Sequence, residues 1–368
     1  MKVLMIVQEL DESSSVLRVA HDWAEAISLR VDELVVAAAR VGTFQLPDNV
    51  SVTPLRRTEG VSAKRAAVVL AAELGRRVST KGVDLVFAHM VPAYALMAAA
   101  FAKPVSVPVC LWYASHGLSN RLRIAHRIID AVATASTDSY PLEGDKVAVL
   151  GHGIDASRYT AAGVTKSDPP VIIAASRITP MKQIHLAIDA LGNSMLRDHP
   201  NTPILEVAGT PFHDGDRDYL RSLYRRVREL GLTERVRFLG AVPGDEMPLA
   251  LARTHVALSL REMPSLDKNG LEGLLAGVPV ISNNPSYKPV VGPFADDLYV
   301  EGDDAAALAT KIAHLLDNAE LRARIAASLR ETVEADHGLS GFADRLTDLF
   351  DAVCRGTFPR SAQQAVGG

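Results

Sequence analysis

Short apolar runs alternate along the chain with longer stretches in which apolar residues recur every three or four positions. Runs at residues 3–7, 34–39, 84–88, 105–113, 131–135 and 146–150 are followed by a second series at 171–175, 204–208, 235–239, 256–260 and 278–281. These runs are continuous in Val, Ile, Leu and Ala rather than alternating with polar residues. Strands buried on both faces have that composition, which predicts parallel sheets covered by helices. Among the intervening stretches, Val16, Ala20, Trp23 and Ile27 follow helical spacing, with Ser15 placed as the cap. Residues 214–230 predict a helix with a charged face and Leu220, Leu223, Val227 and Leu230 inside. Residues 303–316, 319–333 and 340–353 predict three closing helices.

The strand count restarts after residues 161–170, a small and polar stretch that includes Pro169 and Pro170. The fold class expected is α/β, with two doubly wound Rossmann-like domains in tandem facing a central cleft. The domains expected are 1–165 and 166–339, with the helix 340–356 packing back on the first and a mobile tail at 357–368. The apolar stretch 87–113 is broken by Pro92, Lys103, Pro104 and Pro108, so it reads as strand, helix and strand rather than a membrane span.

Composition narrows the classes. A length of 368 residues suits two domains, and a formal net charge of −4 lacks the basic excess of a nucleic-acid binder. Two cysteines, Cys110 and Cys354, make no CxxC and no disulfide framework, which implies a reducing, cytoplasmic setting. The apolar start, residues 3–7, is too short for a signal-peptide core. One basic stretch, 56–81, carries Arg56, Arg57, Lys64, Arg65, Arg76, Arg77 and Lys81. It is either a solvated helix face or a peripheral contact with an anionic membrane at its inner face, or with an anionic acceptor.

Doubly wound sheets bind ligands at the carboxyl ends of their strands. Directly after the strand 171–175 stand Arg177 and, five residues on, Lys182, with a helix expected from 183 to 191. Two cations and a helix N-terminus suit a diphosphate; the same residues also suit an ordinary exposed surface. After the strand 256–260, the loop from Arg261 through Ser265, Leu266, Asp267, Lys268, Asn269 and Gly270 leads to Glu272. Glu272 is placed to grip neutral hydroxyls such as a ribose diol, or simply to favour a helix dipole.

The run Ser176-Arg177-x-Thr179-Pro180-x-Lys182 and the run Leu271-Glu272-x4-Gly277-x-Pro279-Val280-Ile281, about ninety residues apart, together resemble the family 4 glycosyltransferases, retaining nucleotide-sugar enzymes of GT-B architecture. Gly151-His152-Gly153-Ile154-Asp155, Val207-Ala208-Gly209-Thr210 and Arg237-Phe238-Leu239-Gly240 fit the same resemblance in order. It implies that Arg177 and Lys182 hold the donor diphosphate and Glu272 the ribose hydroxyls. Pro264 stands where the family's Glu-x7-Glu motif has its first Glu. Some members share the Ser-Leu-Asp-Lys run, which makes Asp267 the candidate for the donor sugar hydroxyls. The backbone amides of Asp267, Lys268, Asn269 and Gly270 would add to the pyrophosphate site. Gly209 and Leu239 complete the donor-binding set.

The first domain is expected to hold a glycan, lipid-linked or small-molecule acceptor. Its candidates are Glu9, Asp11 and Ser13 after the first strand, His89 at a strand end, and His116, whose position resembles the family's histidine near the reacting sugar. The resemblance implies a transfer without metal or cofactor, in which fixed cations stabilise the leaving diphosphate and that phosphate takes the acceptor proton. The alternatives are a nucleotide-sugar 2-epimerase of the same architecture and a non-catalytic nucleotide-sugar binder.

Overall fold

The computed structural model describes residues 1–358 except 15–17, 56–62, 81, 161–162 and 262. The chain forms two compact units, one of residues 1–153 and 336–368, the other of 154–335. Each is a parallel sheet covered by helices.

The first unit contains β1 (Lys2–Leu10), α1 (Val19–Ser28), β2 (Glu33–Val41), β3 (Val50–Pro54), α2 (Ala63–Arg77), β4 (Leu85–His89), α3 (Pro92–Ala102), β5 (Val109–Trp112), α4 (Asn120–Ile128), β6 (Ala131–Thr134) and β7 (Val147–Val149). Its seven strands lie in the order β3-β2-β1-β4-β5-β6-β7. The central strand shows why its sequence is continuously apolar. Val3, Met5 and Val7 pack on one face with Trp23 and Phe87, while Leu4 and Ile6 pack on the other with Leu70 and Ala95. Successive side chains point to opposite faces, and both faces are core.

Two local departures from the expected elements have physical causes, and a third touches residues outside those described. The strand β3, absent from the sequence-based expectation, lies at the sheet edge, where its Val-Ser-Val-Thr-Pro run is half-exposed and Pro54 is tolerated. The expected strand 105–113 is instead a 3-10 turn (Lys103–Val105) followed by the shorter β5; Pro104 and Pro108 donate no amide to a ladder. The helix α1 opens at Val19; the expected cap Ser15 lies outside the described residues.

The second unit contains β8 (Val171–Ala175), α5 (Ile184–Gly192), α6 (Ser194–Arg197), β9 (Ile204–Ala208), α7 (Asp214–Glu229), β10 (Val236–Gly240), α8 (Met247–Ala252), β11 (Val256–Leu258), α9 (Lys268–Leu275), β12 (Val280–Ile281), α10 (Lys288–Val291), α11 (Ala295–Leu298), α12 (Ala305–Asp317) and α13 (Ala319–His337). Its strand order is β10-β9-β8-β11-β12. The last helix, α14 (Leu339–Cys354), packs Phe342, Leu346 and Phe350 into the first unit's core. Of the tail expected at 357–368, all from residue 359 onward lies outside the described residues.

The division between units falls after Gly153, earlier than the polar stretch that suggested residue 165. Ile154, Ala156 and Tyr159 already belong to the second core. The polar stretch itself is tied to the second unit, where Lys166 Nζ donates to the Thr254 carbonyl at 2.6 Å. Its composition marks a surface connection within that unit.

Candidate active site

In the second unit the chain builds β8, β9 and β10 outward on one side and then returns to place β11 on the other side of β8. The crevice beyond the carboxyl ends of β8 and β11 is therefore the switch point of a doubly wound sheet, where ligands bind. Among the described residues, four cations and two carboxylates lie on the loops and on the first turns of α9 there.

Arg177 follows β8 and stands exposed, its guanidinium without a hydrogen-bond or ion-pair partner among the described residues. Gly209, expected as a donor contact, has a different task. A Cβ there would lie 1.8 Å from the Ser176 carbonyl oxygen, at φ +147°, so glycine is required for the loops after β8 and β9 to approach.

Lys182 was expected to open a helix. It instead ends a 3-10 turn (Pro180–Lys182), and Gln183 turns left-handed at φ 45° before α5 begins. The turn aims the Lys182 ammonium inward, 9% exposed, against Asp267 Oδ2 at 2.5 Å. Burial pulls its pKa below the usual lysine value; Asp267 opposes that pull, and the neighbouring Arg261 and Arg177 add to it.

Asp267, the candidate for sugar hydroxyls, has both carboxylate oxygens engaged by cations. Oδ2 accepts from Lys182, and Oδ1 accepts from Arg261 Nη1 at 2.7 Å. Asp267 occupies the N-cap position of α9 but makes no side-chain cap, so the first amides of the helix keep no side-chain partner from it. Lys268 reaches Glu272 Oε1 at 2.7 Å, and the Tyr159 hydroxyl donates to the same oxygen at 2.7 Å. Asn269 Nδ2 donates to the Ala175 carbonyl, which ties α9 to the end of β8. Gly270 lies against Tyr287, whose hydroxyl donates to the Asp267 carbonyl. Leu239 is 37% exposed on the edge strand β10.

A buried amide clamp joins the two cation-bearing loops. Asn283 Oδ1 accepts from the Arg261 backbone N–H at 3.0 Å, and its Nδ2 donates to Gln183 Oε1 at 2.7 Å. Gln183 in turn donates to Asp303 Oδ1 at 2.6 Å. Sequence reasoning assigned no role to Arg261, Asn283, Gln183 or Tyr159. Arg261 alone carried a signal: it follows its strand much as Arg177 follows β8.

In the first unit the switch point lies between β1 and β4. The strand β1 runs on to Leu10, so Glu9 is a strand residue opposite Arg40 and ion-paired with it, rather than part of an opening loop. Asp11 accepts from the Ser13 amide at 2.9 Å, the Ser13 hydroxyl at 2.7 Å and Thr43 Oγ1 at 3.3 Å. Burial raises its pKa, but these hydrogen bonds outweigh burial and hold it below the usual value. His89 is 4% exposed, edge-on to Trp23 at 5.2 Å, and burial depresses its pKa to about 4. His116 is half-buried in the loop after β5, with Nδ1 3.4 Å from the Asp138 carbonyl. Among the described residues no group of three or more His, Cys, Asp or Glu is placed to hold a metal ion.

Comparison with known proteins adds to this geometry. A family model described as glycosyl transferases group 1 matches residues 157–332, which is most of the second unit. The chain is 26% identical over 249 residues to a D-inositol 3-phosphate glycosyltransferase of Corynebacterium efficiens, covering 61% of this chain and 56% of that protein. It is 32% identical over 157 residues to a GDP-mannose-dependent alpha-(1-6)-phosphatidylinositol monomannoside mannosyltransferase of Mycolicibacterium smegmatis, covering 40% and 39%. The chain thus spans about half the length of these curated relatives or less. Among solved structures, Anabaena HepE in complex with UDP and glucose superposes with a TM-score of 0.76 at 20% identity, covering 96% of this chain and all of that one. Sucrose-phosphate synthase from Thermosynechococcus elongatus gives 0.77 at 14% identity, covering 97% of this chain and all of that one. The fold is that of the GT-B glycosyltransferases.

Proposed function

We propose that this chain is a glycosyltransferase that moves a sugar from a nucleoside-diphosphate sugar to an acceptor hydroxyl with retention of configuration. The observation that carries the reading is the convergence of four cations, among the described residues, at the second unit's switch point. Arg177, Lys182, Arg261 and Lys268 face Asp267 and Glu272 there, inside the stretch matched by the glycosyltransferase model. Such a gathering of cations beside a helix N-terminus suits the diphosphate of a donor.

In the reaction, the bond between the anomeric carbon and the diphosphate oxygen breaks, and its electron pair leaves on that oxygen. Arg177 and Lys182 sit where this charge develops, and the uncapped amides of α9 add their dipole. The acceptor oxygen bonds to the anomeric carbon on the face the diphosphate leaves. Its proton passes to the departing phosphate oxygen, so no separate base and no metal is needed. Glu272, oriented by Tyr159 and Lys268, takes the ribose hydroxyls. His116 orients the sugar or the acceptor. The relatives' names point to an inositol phosphate or a lipid-linked inositol as the acceptor class.

Thermal-shift measurements with UDP, GDP, ADP, TDP and their sugars test the donor site. A nucleotide at a hundred times its Kd stabilises the fold by about 2.7 kcal/mol; no shift with any of them overturns the reading. Arg177→Ala, on an exposed side chain, is expected to leave the fold intact and lower turnover about 10²–10³-fold. Product formed from the donor alone, without acceptor, would mark an epimerase instead.

A further inference from the structure

The basic stretch 56–81 does not supply a free cationic surface where it is described. Arg76 Nη2 and Arg77 Nε both pair with Glu73, at 2.6 Å for Arg76. Arg56, Arg57 and Lys81 lie outside the described residues, as does the Lys64 side chain.

A different helix presents what that stretch lacks. On α4, Arg121, Arg123 and Arg127 are exposed, and none has a side-chain partner among the described residues. Ile124 is 51% exposed and Ile128 39%, with Leu118 at 41% just before the helix. At 3.6 residues per turn the exposed face reads Arg123, Arg127, Ile124, Ile128, Arg121 from one edge to the other. Aliphatic side chains run down the middle, with arginines on both flanks. Leu122 and Ala125 are buried on the opposite face. No acidic residue occurs between Ala114 and Ile129; at the helix end the Lys146 ammonium donates to the Ile129 carbonyl at 2.9 Å, and Asp130 is paired with Lys103 at 2.6 Å.

We propose that α4 docks this chain on an anionic lipid bilayer. The isoleucines enter the interface, and the arginines take the lipid phosphates. The chain as a whole carries net charge −4, so general attraction to an anionic surface does not explain such a patch. A second copy would set the same arginines against each other, and a nucleic acid would leave the isoleucines in water. A bilayer offers both an apolar phase and phosphate in one surface. The helix begins shortly after His116, so docking would bring the first unit's candidate acceptor residues near the membrane. Only the suggestion of a lipid-linked acceptor rests on the transferase reading.

The test is co-sedimentation of the full chain with vesicles of phosphatidylcholine containing phosphatidylglycerol, against vesicles of phosphatidylcholine alone. The wild type is expected to pellet with the anionic vesicles only. Each arginine changed to Gln should cost about fivefold in affinity, and Arg121→Gln, Arg123→Gln and Arg127→Gln together about 100-fold. Ile124→Ser with Ile128→Ser should cost roughly tenfold with every charge kept. Arg76→Gln with Arg77→Gln should bind as the wild type does. An unchanged cooperative urea-unfolding midpoint shows that each variant is folded, and thermal shift with a nucleotide, read separately, keeps the two readings separable. No pelleting of the wild type, equal binding to both vesicles, an isoleucine variant that binds fully, or loss that follows Arg76 and Arg77 would each overturn the proposal.

Discussion

At the scale of single residues, the site depends on one carboxylate shared by the buried Lys182 and the largely covered Arg261. Asp267 is the counter-charge to Lys182, which burial, Arg261 and Arg177 all push toward the neutral amine. If the ammonium is the form that binds diphosphate, donor-dependent kcat/KM should fall as pH rises through the depressed Lys182 pKa. That alkaline limb lies below the usual lysine value near 10.5. Asp267→Asn removes the opposing charge, depresses the lysine further and should move the limb to lower pH, while Asp267→Glu should largely restore it. A pH profile unchanged in the Asn variant would show that Asp267 does not act through Lys182. Arg177 and Lys182 were legible because each follows a buried strand or its first turn. Arg261 follows β11 in the same way, but its stretch of sequence also holds Asp267 and Glu272, so a cation there does not stand out before the fold pairs it with Asp267. Asn283 and Gln183 gave no signal at all: buried amides acquire a role only when the fold brings distant loops together.

At the scale of elements, strands buried on both faces could be read directly, since their sequence must be apolar at every position. The edge strand β3 could not, because one side of it meets water and its polar residues imitate a loop. The turn before α5 was also illegible. Its left-handed Gln183 is held by Asn283 and Asp303, contacts more than ninety residues away. The helix α9 shows how tightly the site is built. A Cβ at Gly270 would lie 2.1 Å from the Tyr287 hydroxyl oxygen and 2.9 Å from the Ser259 Cβ. Gly270→Ala must therefore move α9 or Tyr287, and with either of them Asp267. The expected result is a loss of about 1–3 kcal/mol in stability together with weaker nucleotide binding. Gly215→Ala, in α7 with nothing within 4 Å of its Cβ, serves as the control and should leave both unchanged or slightly improved. Equal melting midpoints for the two variants in urea would refute the packing argument.

At the scale of the whole molecule, the chain leaves the first unit after Gly153 and comes back at Asp336 to complete that unit's core with α14. Closing apolar helices were legible at the C-terminus; their destination was set by aromatic packing, Phe342 on Trp23 at 4.2 Å and Phe350 on Phe87 at 5.1 Å. Two histidines border this seam. His89 stands edge-on to Trp23, and burial lowers its pKa to about 4. His337 Nδ1 accepts from the His152 backbone N–H at 3.2 Å; burial, His152 and Arg345 lower its pKa to about 3. Both are neutral when folded and take a proton near pH 6.5 when unfolded. The unfolded chain thus binds more protons in the interval from about 6.5 down to about 4, and stability must fall as pH falls through it. At pH 5 each histidine should contribute a loss on the order of 2 kcal/mol, a large share of a typical folding free energy. Urea unfolding at pH 7 and pH 5 measures this. The wild type should lose stability between the two, and His89→Gln with His337→Asn should lose distinctly less. Asn at 337 keeps an acceptor for the His152 amide without a titrating ring. If the double variant loses as much as the wild type, the acid sensitivity lies elsewhere, and these histidines do not govern how firmly α14 holds to the first unit.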